Sequence, residues 1–278
     1  MIKAKNVDAK TVAGFGDEWL RFDQSALSAK EQQTLFNSYF SIFPWKNLRA
    51  GAVGFDLGCG SGRWAQLVAP QVGRLHCIDP SAALEVAKSN LQNLDNCEFH
   101  NATVDAIPLA DESMDFGYSL GVLHHVPDTA AGLQACVKKL KIGAPFLLYL
   151  YYAFDDRPLW FKAIWHCSDF LRGFISRLPH GPRYWVSQGL AMLIYFPLAR
   201  TAALAETLGI NVKHFPLSAY RHLSFYTMRT DALDRFGTRL EQRFSRDQIT
   251  EMMKQAGLDQ IEFSNQEPYW CAVGRRAK

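Results

Sequence analysis

Asp56-Leu57-Gly58-Cys59-Gly60-Ser61-Gly62 sets a carboxylate and three alternate glycines at the end of an apolar run, Val53-Gly54-Phe55. Glycines are needed where a chain takes positive φ and where backbone must approach a ligand with no Cβ between. Helix-compatible Trp64 to Val68 follows, so the stretch reads as strand, tight turn and helix, the opening unit of a parallel α/β sheet. The spacing is G-x-G-x-G, because Arg63 stands where a dinucleotide fingerprint continues toward its third glycine. Together with Asp56 this suits a nucleoside ligand without a pyrophosphate. Asp79 ends a second strand-like run, Arg74 to Ile78, 23 residues after Asp56. A carboxylate there can accept two hydrogen bonds from a vicinal diol. Asp79-Pro80-Ser81 would equally well cap the helix expected over 82–91.

These residues need elements to hold them. Strands are expected at 96–101, 115–120 and 145–151, with an amphipathic helix over 129–140. A helix over 245–256 opens on Ser245 with Gln248 completing a capping box, and an antiparallel pair follows at 258–263 and 269–274. Strands alternating with helices give a doubly wound α/β sheet with ligands at the carboxyl ends of its strands. Residues 1–45 form an N-terminal helical cap ended by Pro44, 46–151 the core, and 244–278 its completion. Phe15 and Trp19 of the cap either pack on the sheet, the simpler reading, or close over the ligand. The basic ending from Arg275 to Lys278 reads as solvated.

The motifs Asp56-x-Gly58-x-Gly60-x-Gly62, Ile78-Asp79-Pro80-Ser81, Ile107-Pro108-Leu109-x-Asp111-x-Ser113-x-Asp115 and Gly121-Val122-Leu123-His124-His125-Val126-x-Asp128 follow in order. Over about residues 50–150, with a return at 244–278, this resembles the class I S-adenosylmethionine-dependent methyltransferases, in particular the branch with the ubiquinone and menaquinone C-methyltransferases. The resemblance implies a seven-stranded, mostly parallel Rossmann-like sheet whose last strand enters antiparallel between its neighbours. It implies S-adenosyl-L-methionine as cofactor, with Asp56, Gly58, Cys59, Gly60, Ser61 and Gly62 near its methionine part. Asp79 would hold the ribose, Pro80, Ser81, Thr103 and Val104 would lie at adenine, and Leu120 would also line the site. Many relatives carry an acid where this chain has Thr103; Thr103 or Asp105 would have to replace it.

The methyl group would lie just beyond the fourth strand, beside His124 and His125. Imidazole titrates near neutrality and could take a proton from a phenol, hydroxyl or amine. Equally, the pair could bond backbone or help to seat the cofactor. Tyr226 and His222 are competing bases from elsewhere in the chain. Neither a nucleophile–base–acid set nor metal-ligand spacing is visible, so no metal site is expected.

The segment 152–243 departs from a minimal relative: about 90 residues, with nearly half of all aromatics. From Arg157 to Arg239 there are 11 Lys or Arg against 4 Asp or Glu. Trp160, Phe161, Trp165, Phe170 and Phe174 recur at helical intervals, and Trp185 to Phe196 is apolar up to Pro197. The expectation is a mainly helical substrate cap, most of its aromatics in the core. It would shape a small-molecule or lipid-like acceptor site, its cations suited to an anionic group, and peripheral membrane contact stays open. Tyr220 to Arg229 reads as pocket lining or a solvated turn. The alternative is a small helical subdomain with a core of its own.

The net charge of +3 is small for 278 residues and forces no nucleic-acid partner. Six scattered cysteines without a C-x-x-C pair point to free thiols in a reducing compartment. A polar stretch over 1–10 and the lack of any run of roughly 20 apolar residues point to a cytoplasmic protein. The expected activity is methyl transfer to O, N or C. The alternatives are a nicotinamide oxidoreductase, a cofactor-binding module without turnover that recognises a protein or membrane, and a nucleic-acid methyltransferase.

Overall fold

The computed structural model describes residues 6–155 and 157–277; Met1 to Lys5 and Lys278, which belong to the expected polar start and basic ending, lie outside the described residues. The chain divides into two compact units, one of residues 1–23, 32–153 and 240–278, the other of 24–31 and 154–239. At the N-terminus, 24–31 group with the insertion.

The first unit is built on a sheet of seven strands: β1 (Val53–Leu57), β2 (Arg74–Ile78), β3 (Cys97–His100), β4 (Phe116–Leu120), β5 (Pro145–Tyr149), β6 (Leu258–Phe263) and β7 (Cys271–Arg276), in the order β3-β2-β1-β4-β5-β7-β6. Five strands run parallel, and β7 enters antiparallel between β5 and β6. The order reverses at β1 and β4, which places a crevice at their carboxyl ends. Strand side chains alternate between faces. Leu75, Cys77, Phe116, Tyr118 and Leu147 join one apolar cluster, and Phe55, Leu57, Ile78, Phe146 and Leu148 the other.

Two glycines make this sheet possible in a way that the strand pattern conceals. A Cβ on Gly54 would stand 2.3 Å from the Phe116 ring, and one on Gly117 would stand 2.4 Å from Phe55. These are register pairs, Gly54 with Phe116 and Phe55 with Gly117, so each aromatic fills the space its neighbour leaves empty.

Around the sheet lie α1 (Ala9–Arg21), α2 (Ala29–Tyr39), α3 (Ala65–Val68), α4 (Ala83–Asn90) and α5 (Thr129–Lys139). Asp8 caps α1 and Asp128 caps α5 through their carboxylates. Phe36, Phe40 and Phe43, from the end of α2 and the turn after it, pack on Trp64, Phe116 and Tyr118, so this part of the cap is core.

The second unit holds α6 (Leu159–Ile175), α7 (His180–Leu190), α8 (Phe196–Thr207) and α9 (Phe225–Gly237). In the first unit, α10 (Arg246–Gln255) shows the Ser245–Gln248 capping box read from sequence. Pro197 does not end the apolar stretch before it. It follows a π turn over Ala191–Tyr195 that carries the helix from α7 into α8, an adjustment of the helical hydrogen bonds of the kind found beside a proline. Tyr220 to Arg229 is not a turn along its length, since α9 starts within it, with the Ser224 side chain accepting from Thr227 N–H. The core of this unit is small: Ala191, Tyr195, Ala199, Met228, Ala232 and Phe236. Against expectation, many of its aromatics lie outside that core, and no residue of α6 is buried.

Candidate active site

The glycine turn leaves β1 at the carboxyl edge of the sheet, where Gly58 and Cys59 N–H donate to the Ile78 carbonyl at 2.7 and 3.2 Å. Gly58, Gly60 and Gly62 all take positive φ. A Cβ on Gly58 would lie 2.3 Å from Val122 Cγ2, so the turn presses on the segment after β4.

Asp79 is buried, and its carboxylate ties the turn to the next loop. Oδ2 accepts from Gly60 N–H at 3.0 Å, and Oδ1 accepts from Ser81 N–H at 2.8 Å and Ser81 Oγ at 2.6 Å. It does not cap α4; there Ser81 Oγ accepts from Ala83 N–H at 3.2 Å. Pro80 bridges these anchor points and stays partly open to solvent. Oδ2 keeps a lone pair for a hydroxyl of a ligand.

Asp56 is 1% exposed, and its Oδ2 has no hydrogen-bond partner. Burial pushes its carboxyl up to about 8; the Tyr118 hydroxyl offsets part of this, and the nearby charge of Asp79 adds to it. Tyr118 faces it in register on β4, its buried hydroxyl near enough to act on the carboxyl though the two do not meet in hydrogen-bond geometry. Ser61 Oγ is a third such atom, inside the glycine turn. Three orphaned polar atoms beside one glycine turn are a site prepared for a polar ligand. Cys59 stays a thiol: the Cys77 hydrogen bond pulls its pKa down, but burial carries it up to about 11.

The adenine-side candidates lie on the loop after β3. The Thr103 hydroxyl donates to Asp105 Oδ1 at 2.7 Å, and Asn6 N–H donates to Asp105 Oδ2 at 3.2 Å. Val104 is buried in a single 3-10 turn, and Leu120 is buried at the end of β4.

The two histidines have different surroundings. His124 is fully buried, with both ring nitrogens unpartnered and its ring 3.9 Å from that of Tyr151. Burial, with help from His125 and Arg243, holds its pKa well below the usual range, so it is neutral. His125 Nδ1 lies 2.7 Å from the Leu240 carbonyl. A carbonyl only accepts, so Nδ1 carries the proton and Nε2 the lone pair. Gln242 secures the same turn, its N–H donating to the His124 carbonyl at 3.0 Å and its Nε2 to the Val126 carbonyl at 2.7 Å. Tyr226 and His222 belong to the other unit. There the Tyr226 hydroxyl accepts from Gln24 N–H at 2.9 Å, and His222 Nε2 meets Glu206 Oε2 at 2.8 Å.

Helix α1 reaches this site. The Phe15 ring is 4.9 Å from that of His125, and a Cβ on Gly60 would stand 3.1 Å from Trp19 Nε1. Phe15 and Trp19 thus pack beside the histidine turn and the glycine turn, the simpler of the two readings made from sequence. Asn6, Tyr118, Val122, Leu240 and Gln242 were missed. Only Asn6 left a trace, as a lone amide ahead of the Asp8 cap; it accepts from Asp128 N–H at 2.8 Å and donates to the Asp128 carbonyl at 2.7 Å.

One group among the described residues could hold a metal by spacing: His76, Glu98 and His100, with ligand atoms within 4.8 Å of one another. Two strands contribute to it, so no linear motif announces it. Glu98 already pairs with Arg74 at 2.8 Å, and His76, whose pKa burial lowers, has Nδ1 3.2 Å from Glu98 and 3.0 Å from His100 Nε2, so the three are already engaged with one another.

Residues 55–148 match a family model described as a methyltransferase domain. An uncharacterized methyltransferase of Bacillus subtilis is 30% identical over 107 residues, 37% of this chain and 42% of that protein. A ubiquinone biosynthesis O-methyltransferase of Pseudomonas fluorescens is 28% identical over 149 residues, 50% of this chain and 61% of that protein. The chain thus covers less than two thirds of the length of either relative. Among solved structures, an O-methyltransferase family protein from Burkholderia thailandensis superposes with a TM-score of 0.54 at 14% identity, over 92% of this chain and 59% of that one, a likeness of fold.

Proposed function

We propose, from a core that is of the class I S-adenosylmethionine-dependent methyltransferase family, that this protein moves a methyl group from S-adenosyl-L-methionine to O, N or C of a small-molecule or lipid-like acceptor. The observation that carries this reading is Asp56, a buried carboxyl with an unpartnered oxygen at the mouth of a glycine turn. The cofactor's ammonium and sulfonium are the kind of cation that would satisfy it, and the Cβ-free turn leaves room for them. The residues present therefore fit the group. Asp79 Oδ2 would accept from the ribose, and Thr103 or Asp105 would face adenine.

Bound, the cofactor supplies a methyl on sulfur that already carries a good leaving group. The chain must then exclude water, hold the acceptor in line and, for weakly acidic acceptors, accept a proton. His125 Nε2 is the group we assign to that proton. The Leu240 carbonyl keeps the tautomer correct, and Phe15 shields the ring. His124, neutral and buried, would support the turn instead of touching the acceptor.

The test is transfer of labelled methyl from S-adenosylmethionine, with the full chain, into lipid and small-molecule extracts. Label is expected in at least one fraction. His125→Gln should lower the rate about 100-fold or more while S-adenosylhomocysteine affinity is kept. Binding without transfer to any fraction would favour a module without turnover.

A further inference from the structure

The surface of the second unit carries an observation that methyl transfer leaves unexplained. Amphipathic helices of globular proteins turn their apolar stripe inward. Helix α6 does the opposite. Trp160, Ile164, Phe170, Leu171 and Phe174 fall within one arc of about 120° at 3.6 residues per turn, and all are exposed. Ser168, Asp169 and Arg172 lie on the half-buried face. There Asp169 Oδ1 is 2.8 Å from Arg172 Nε and 3.4 Å from Arg235 Nη1 of α9, and the Arg235 guanidinium lies 5.4 Å from the Trp165 ring centre. Buried charge contacts fix the orientation, so the outward stripe is built into the packing of the unit.

The stretch from α7 to α8 repeats the pattern with Trp185, Met192, Leu193 and Phe196. Leu193, Trp185, Phe170 and Phe174 are 74, 72, 68 and 62% exposed. The buried cluster of the unit holds Tyr195, Met228, Phe236 and three alanines, while Trp160, Phe170, Phe174, Trp185 and Leu193 are exposed. A surface of this kind marks an interaction site.

We propose that this face of the second unit docks on the surface of an anionic lipid bilayer. Charge chooses the occupant. From Arg157 to Arg200 the chain carries six Lys or Arg and one acid, Asp169, which is taken up by Arg172 and Arg235; Arg157 and Arg183 are buried, Lys162, Arg172 and Arg200 are half-buried and Arg177 is exposed. Phenylalanine and leucine on one face, tryptophan able to sit at the headgroup level, and an excess of cations describe a segment that lies in the interface plane. A second copy would offer Lys162 and Arg177 no acid from the same segment except the already paired Asp169, so the charge pattern does not favour self-pairing. Among the described residues no helix is long and apolar enough to cross a membrane, so the unit lies on the bilayer without spanning it. The proposal stands apart from the methyltransferase reading, because docking needs no cofactor.

The experiment is co-sedimentation of the full chain, without cofactor, with vesicles of phosphatidylglycerol and phosphatidylcholine and with vesicles of phosphatidylcholine alone. Binding is expected to the anionic vesicles, weaker to the neutral ones and weakened by salt. The double variant Phe170→Ser/Phe174→Ser should bind the anionic vesicles roughly 100-fold more weakly, with an unchanged melting temperature because both rings are exposed. Leu193→Ser, on a different helix, should weaken binding as well, and serves if the double variant does not fold. The proposal is overturned if wild type and variants sediment alike. It is also overturned if the chain is a stable dimer without lipid that the Phe170/Phe174 changes dissociate.

Discussion

Replacing Asp56 with asparagine is expected to stabilise the protein at pH 8 and to weaken its hold on S-adenosylhomocysteine. The sign follows from the carboxyl, which burial pushes up from 3.8 to about 8. Below about pH 4 the group is protonated in the folded and unfolded chains alike. As pH rises the unfolded chain releases this proton while the folded one keeps it, so native stability falls by about 1.4 kcal/mol per pH unit. That loss levels off once pH passes the folded value of about 8. Asparagine has no proton to hold and escapes this fall. The variant should match wild type near pH 4 and melt above it increasingly up to pH 8. Its affinity should drop by about 10- to 100-fold, the loss of a charged hydrogen-bonding partner. Calorimetry in buffers of different ionisation enthalpy should show proton release on binding to wild type near pH 7 and none for the variant. A variant that melts lower at pH 8, or binds equally well, would remove Asp56 from the site.

The second large effect is expected at Gly58. Its φ of +77° is costly for alanine, and the added methyl would stand 2.3 Å from Val122 Cγ2. Left-handed backbone costs about 1–2 kcal/mol and an overpacked methyl about 1–3 kcal/mol, so Gly58→Ala should lose about 2–5 kcal/mol in denaturant unfolding. Val122→Ala in the same chain should recover part of it, since the overlap is with that side chain. The Val122 segment leads into the His124-His125 turn, so the single variant should also bind S-adenosylhomocysteine poorly. A change within 0.5 kcal/mol, the usual range for surface substitutions, would mean that the turn can move away from Val122.

The parts of this protein legible in its sequence are those that local chemistry dictates. Carboxylate, glycine turn and strand runs gave the sheet and the loop at its edge. The Ser245–Gln248 box fixed the start of α10, because both partners lie within one helical turn. Asp79 was legible as a polar anchor, but the Gly60 N–H that it holds comes from a different loop. What stayed hidden depends on distant residues. Leu240 and Gln242 clamp the histidine turn from more than a hundred positions away, and nothing in either residue type announces that role. The interlocking of Gly54 with Phe116 and of Phe55 with Gly117 depends on register across β1 and β4. The helical spacing of aromatics in α6 was plain, yet spacing identifies a face without saying which way it points. The Asp169–Arg172–Arg235 contacts decide that, and one of the three comes from another helix.

The identity of the ligand bound at the glycine turn is the claim on which the site account rests. Isothermal titration of the full chain with S-adenosylhomocysteine, and separately with NADH, tests it most directly. The expected result is saturable binding of S-adenosylhomocysteine at one site per chain, weakened about 10- to 100-fold in Asp56→Asn, with no heat from NADH. Binding of NADH, or no binding of S-adenosylhomocysteine to a folded chain, would contradict it.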